Sequence, residues 1–168
     1  MSEHTQAANS ADFRHSKTLT LSCIGAGHVG STLCSLLSPH VQINQIINRT
    51  DGSAGQAVKF IGAGEAVSIN DHSYAGLRCA DIWMLTCPDD QLQCVGDALL
   101  SSGALQSDNI LFHCSGATPS TIFTKAGEMG VKVASLHPVH SFANPKSSLQ
   151  SFAGTACGIE GDTAATQG

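Results

Sequence analysis

Charged and aromatic side chains are both scarce in this sequence. Only 12% of its 168 residues are Asp, Glu, Lys or Arg, and only 5% are Phe, Trp or Tyr. Eight Lys and Arg against 13 Asp and Glu leave a formal net charge of −5, so there is no basic stripe for nucleic acid. No apolar run approaches the ~20 residues needed to cross a bilayer. The N-terminal stretch MSEHTQAANSADFRHSK is polar and lacks the apolar centre of a secretory signal. The seven cysteines, Cys23, Cys34, Cys79, Cys87, Cys94, Cys114 and Cys157, contain no CxxC pair. An odd number of them, mostly flanked by apolar residues, reads as reduced thiols serving as small core side chains. Together these absences predict a cytoplasmic chain with a small-molecule partner, no nucleic acid and no membrane.

What is present is an apolar content of 42%, too high for a disordered chain and enough to bury a core in one domain. Residues 1–17 read as a flexible leader. Beyond them two kinds of apolar segment alternate. Short runs rich in β-formers at 19–24, 41–48, 66–69, 81–87, 109–114, 131–137 and 155–161 predict strands. Stretches with helical spacing at 28–37, 53–61, 91–100 and 118–130 predict the helices between them. DIWMLTC is apolar almost throughout, as expected of a strand covered on both faces. Asp51 is placed to cap the second helix and Asp89 or Asp90 the third. The repeated strand–helix–strand order predicts an α/β fold with a doubly wound, mainly parallel sheet and helices on both faces.

The first strand runs into GAGHVG, residues 25–30, and then into a helix. In that setting Gly25 makes the tight turn, Gly27 lets backbone approach a pyrophosphate, and Gly30 lets helix and sheet pack closely. The helix beginning near His28 directs its unpaired N–H groups and positive dipole end toward the phosphates. No GK[ST] follows, which excludes a P-loop. Gly25, Ala26, Gly27, His28, Val29 and Gly30 are therefore the expected pyrophosphate loop of a Rossmann-type domain.

The end of the second strand chooses between dinucleotides. An NAD site expects an Asp or Glu about 20 residues on, to hold the ribose 2′-hydroxyl. Here the sequence reads Asn48, Arg49 and Thr50. An acid would repel a 2′-phosphate, whereas Arg49 can pair with it, and Asn48 and Thr50 add neutral hydrogen bonds. The expected cofactor is NADP. The missing carboxylate also weighs against an S-adenosylmethionine-dependent methyltransferase, which wants one there for its ribose.

Ligands of open α/β sheets lie beyond the carboxyl ends of the strands. TCPDD (86–90) offers Cys87 and Pro88 beside the nicotinamide ribose. HCSGAT (113–118) offers Ser115 and Gly116, and LHPVHSF (136–142) offers two histidines. His137, His140 and His113 are the candidate acid/base groups, because imidazole titrates near neutral pH. Ser115 is placed either to orient a substrate carbonyl or carboxamide, or to cap the helix that follows. No metal is expected: H-x-x-H at residues 137–140 is poorly spaced for zinc, and no carboxylate converges on it.

At GAGHVGSTL, INRT, FHCSGATPSTIF and VASLHPVHSFANP the sequence resembles Rossmann-like NADP-binding proteins that carry a C-terminal helical domain of unknown function. These are related to pyrroline-5-carboxylate reductase and the deazaflavin-dependent NADP oxidoreductases. The resemblance covers residues 18–162. It implies NADP contacts at Gly25, Gly27, Gly30, Asn48, Arg49 and Thr50, with Ser115, Gly116 and His137 facing the nicotinamide. It also implies that residues 163–168 begin a helical domain missing from this chain, and that a homodimer forms only with that domain. The leading expectation is an NADP-dependent oxidoreductase domain acting on a small C=O or C=N substrate. A non-catalytic NADP-binding or sensing module is the alternative.

Overall fold

The structure, a computed structural model, describes residues 17–69 and 73–167. Of the expected leader only Lys17 is among them. Seven strands form one sheet: β1 (Thr20–Ile24), β2 (Gln42–Asn48), β3 (Glu65–Ser68), β4 (Ile82–Leu85), β5 (Ile110–His113), β6 (Lys132–Pro138) and β7 (Cys157–Gly161). Their spatial order is β3-β2-β1-β4-β5-β6-β7. The first six run parallel, and β7 pairs antiparallel with β6, opposing Ile159 to Leu136. The chain winds outward from β1 to β3, then crosses back to β4. This reversal opens a crevice between the carboxyl ends of β1 and β4, where a doubly wound sheet binds its ligand.

Helices cover both faces, which is why β4 is apolar in succession. Trp83, Met84 and Leu85 point to alternate faces and are all fully buried. Met84 joins Leu21, Cys23 and Ile46 under α1 (His28–Leu37) and α2 (Asp51–Ile61). Trp83 and Leu85 join Leu111 and Leu99 on the other face, under α3 (Leu92–Ser101) and α4 (Thr124–Glu128). Fully burying one such side chain contributes about 1.5–3 kcal/mol, so this two-sided core fixes the strand order. Among the described residues no helix is long and apolar enough to cross a membrane.

Several boundaries differ from the sequence reading. Thr50, not Asp51, caps α2, its hydroxyl accepting the Ser53 N–H at 3.2 Å. Asp51 is instead the first helical residue. Neither Asp89 nor Asp90 caps α3; both lie in a 3₁₀ turn, Asp89–Gln91, that leads into it. The helix expected over 118–130 is a 3₁₀ turn, Ser120–Phe123, followed by the short α4. Thr121, Ile122 and Thr124 lose side-chain freedom in a helix, and Phe123 must be buried edge-on against His113, 5.6 Å between centroids. Two further helices, α5 (Pro145–Ser151) and α6 (Thr163–Gln167), complete the described residues. The sequence reading places no helix at the first, although its signal is there: Asn144 caps it, accepting the Lys146 N–H at 2.9 Å, and Pro145 takes its first turn.

Candidate functional site

The glycine loop leaves β1 at the crevice. Gly25 has a φ of +88°, and its N–H donates to the Ile47 carbonyl at 2.9 Å. A Cβ on Gly25 would lie 2.7 Å from the backbone nitrogen of Cys87 and 3.0 Å from its Cα. Only glycine permits both the turn and this approach of β1 to β4. Gly30 packs against the Thr86 hydroxyl and lies where a Cβ would come within 3.1 Å of the Cys23 sulfur. That same Thr86 hydroxyl donates to the Gly25 carbonyl at 2.9 Å, bolting the loop to β4. Thr86 drew no role from sequence, because its task depends on a residue 61 positions away.

Gly27 differs from its neighbours. A Cβ there would meet only the Gly25 carbonyl, at 3.9 Å, so the space above it is open. Gly27 caps α1 without a side chain, leaving the first N–H groups of the helix unpaired. An open backbone cradle beneath uncapped amides and a helix dipole fits a pyrophosphate. The Ala26 carbonyl is held from below by Ser31 Oγ at 3.2 Å and Asn48 Nδ2 at 3.4 Å. Asn48 thus positions the loop, and Thr50 is engaged as a helix cap. Arg49 is exposed at the end of β2 and makes no ion pair or hydrogen bond among the described residues. Among the described residues its guanidinium has no partner, and it follows β2, the strand next to β1.

Across the crevice a cleft of about 120 Å³ is lined by Val29, Leu85, Thr86, Cys87, Asp89, Cys114 and Ser115. Pro88 is exposed at its rim, opening the 3₁₀ turn. Burial pushes the Cys87 thiol up to about 11, and the Cys114 thiol is raised by the same cause. Both are protonated near neutral pH and are poor nucleophiles. The Ser115 hydroxyl donates to Asp89 Oδ2 at 2.7 Å and accepts from the N–H groups of Ala117 and Thr118, each at 3.2 Å. One donor and two lone pairs are thereby all in use. Ser115 is built to hold this turn.

The three histidines separate clearly. His113 is fully buried on β5, its Nδ1 accepting the Ser115 N–H at 3.1 Å. Burial lowers its pKa below the usual 6.5, with the Pro119 backbone partly opposing, so the ring stays neutral inside the core. His140 is partly buried and engaged by its neighbours. Its ring stands edge-on to Phe142 and Phe152, 5.0 and 5.5 Å between centroids, and its nitrogens meet Ser151 Oγ and Thr155 Oγ1. It pins α5 beside the end of β6. His137 alone is exposed. Its Nδ1 lies 3.4 Å from the Cys114 carbonyl, and Nε2 has no partner among the described residues. The ring lies so close over Gly116 that a Cβ there would be 2.7 Å from its Cε1 and Nε2. Structure therefore joins His137, Gly116 and Ser115 at one corner and turns His113 and His140 away.

His28 has its own tie: Nδ1 sits 3.0 Å from the Phe142 carbonyl, linking the start of α1 to the loop after β6. Among the described residues no group of three or more His, Cys, Asp or Glu side chains is arranged to hold a metal ion.

The Rossmann-like domain family matches residues 4–138. The chain belongs to that family. A search of the curated proteins finds no match. Among solved structures, the fold is similar to an imine reductase from Pseudomonas sp., with a TM-score of 0.64 and 20% identity over 89% of this chain and 50% of that one. An arogenate dehydrogenase from Synechocystis gives a TM-score of 0.65 at 16% identity, covering 88% of this chain and 51% of that one. A prephenate dehydrogenase from A. aeolicus, solved with hydroxyphenyl propionate and NAD+, gives 0.54 at 18% identity over 75% and 43%. The chain spans about half the length of these proteins. At such identities the likeness is one of fold.

Proposed function

We propose that this domain binds NADP(H) along the carboxyl edge of the sheet and serves an oxidoreductase acting on a small C=O or C=N substrate. The observation that carries this reading is the open cradle at Gly27, beneath uncapped α1 amides, with Arg49 unpaired at the end of β2. The likeness in fold to dehydrogenases and reductases, one of them solved with NAD+, supports it.

In this reading the loop Gly25–Gly30 holds the pyrophosphate through backbone N–H groups, and Arg49 pairs with the 2′-phosphate. When bound, the reduced nicotinamide supplies a hydride. His137 supplies the accompanying proton from Nε2, while the Cys114 carbonyl orients the ring through Nδ1 and Gly116 gives it room. Ser115 holds the turn that carries Gly116.

The test is calorimetric titration with NADPH, NADH and S-adenosylmethionine, on the wild type and on Arg49→Ala. Tighter binding of NADPH than NADH, a preference lost in the variant, supports the reading. Absence of nucleotide binding at millimolar concentration overturns it.

A second reading, a non-catalytic NADP-binding or sensing module, is favoured by the exposure of His137. Hydride transfer benefits from a water-poor pocket, and no described residue shields that imidazole. NADPH binding without NADPH consumption, across a panel of keto acids and imines, would favour this module.

A further inference from the structure

Proton supply and pyrophosphate binding leave one charged side chain of the cleft without a task. Asp89 follows β4 and lines the cleft beside Cys87. Its Oδ2 is held by the Ser115 hydroxyl at 2.7 Å, and its Oδ1 accepts no hydrogen bond among the described residues. The Ser115 hydroxyl cannot swing away, because Ala117 and Thr118 occupy its lone pairs. Asp89 is therefore a carboxylate fixed in orientation, with acceptor capacity to spare and no cation paired to it among the described residues. Asp89 and its neighbour Asp90 are both exposed, but Asp90 makes no such contact among the described residues.

The strand order says what comes near it. The pyrophosphate cradle stands at the end of β1, and β2 and β4 lie one strand away on either side. Adjacent strands are ~4.8 Å apart, comparable to the width of a ribose. One ribose of a dinucleotide centred on the cradle falls near the end of β2, beside Arg49. The other falls near the end of β4, beside Asp89, and the nicotinamide ring reaches β5 and β6, where Gly116 and His137 lie. A phosphate would be repelled by a carboxylate at this point. A neutral vicinal diol would not, since it offers two O–H donors to an acceptor-only group.

We infer that Asp89 accepts hydrogen bonds from the hydroxyls of the nicotinamide-side ribose, with Ser115 as the residue that fixes its carboxylate. The inference rests on the proposed binding of NADP(H). Asp89 mirrors Arg49 across β1: one reads the phosphorylated ribose, the other the unphosphorylated one.

The experiment is calorimetric titration of wild type, Asp89→Ala, Asp89→Asn and Ser115→Ala with two probes. NADPH carries both riboses, and adenosine 2′,5′-bisphosphate lacks the second. Loss of charge-assisted hydrogen bonds predicts that Asp89→Ala weakens NADPH by about tenfold or more, with Asp89→Asn intermediate. Binding of the bisphosphate should stay within about twofold of wild type, which also reports an intact fold. Ser115→Ala, which keeps the carboxylate but frees it, should weaken NADPH less than Asp89→Ala. The inference is overturned if Asp89→Ala binds NADPH like wild type. It is equally overturned if that variant loses both probes alike, or if Ser115→Ala matches its loss, since the turn would then be responsible. Should wild type bind neither probe, the NADP(H) reading itself fails and takes this role with it. That outcome is recognisable without any variant.

Discussion

Replacing Gly25 and Gly27 by alanine, one at a time, should separate folding from binding within a single loop. At Gly25 the backbone has a φ of +88°, and a non-glycine residue there costs about 1–2 kcal/mol. The new Cβ would also lie 2.7 Å from the Cys87 nitrogen and 3.0 Å from the carbonyl carbon of Thr86. These are backbone atoms of the adjoining β4 loop, so the two strand ends must move apart, at about 1–3 kcal/mol for an overpacked contact. The combined cost is about 2–5 kcal/mol, and a chain of this size loses roughly 2–4 °C of Tm per kcal/mol. Gly25→Ala should therefore melt roughly 4–20 °C below wild type. At Gly27 φ is −83° and the nearest atom would be 3.9 Å away, so Gly27→Ala should cost less than about 1 kcal/mol. Its methyl group would instead occupy the cradle, and NADPH should then raise the Tm far less than in wild type. Thermal melts with and without NADPH read both effects, because a ligand at 100 times its Kd stabilises by about 2.7 kcal/mol. If Gly25→Ala melts within about 1 °C of wild type, the approach of β1 to β4 is misjudged. If NADPH stabilises Gly27→Ala and wild type equally, no pyrophosphate uses the cradle.

Gly116→Ala should unseat the His137 ring without touching the pyrophosphate loop. Turnover, or its pH profile, should change while NADPH affinity stays within about threefold of wild type. Equal loss of binding and turnover would refute this division. Burial lowers the His113 pKa in the fold below the 6.5 of an unfolded histidine, so its contribution to stability is present above that pH. That contribution is lost as pH falls below it. His113→Asn, which keeps an acceptor for the Ser115 N–H, should show a flatter dependence of Tm on pH between 7 and 5. Asp81 is held down to about 2 by Lys17 and by the N–H and hydroxyl of Thr20, so it stabilises above its ordinary 3.8 and ceases to as pH falls through about 2. Asp81→Ala should lower Tm at pH 7 but not at pH 2. Lys17→Ala should cost under about 1 kcal/mol at any pH, because Lys17 is 77% exposed.

Sequence by itself determined the sheet and the loop. Strand–helix alternation, the apolar run of β4 and the glycine spacing are short-range patterns, and backbone sterics and burial act on them locally. The absence of an acid at residues 48–50 is likewise readable by eye. Tertiary structure alone decided which polar groups remain free. The sequence reading expects Thr50 and Asn48 beside Arg49 as neutral hydrogen-bonding contacts, yet one caps α2 and the other supports Ala26, leaving Arg49 unpaired among the described residues. Three histidines of one residue type separated because β5 turns His113 into the core and aromatic rings enclose His140. The bond from Asp89 to Ser115 spans 26 positions, and no local pattern announces it. A hydrogen bond consumes a donor wherever the fold brings one. What is left over for a ligand is settled only when the strands lie side by side.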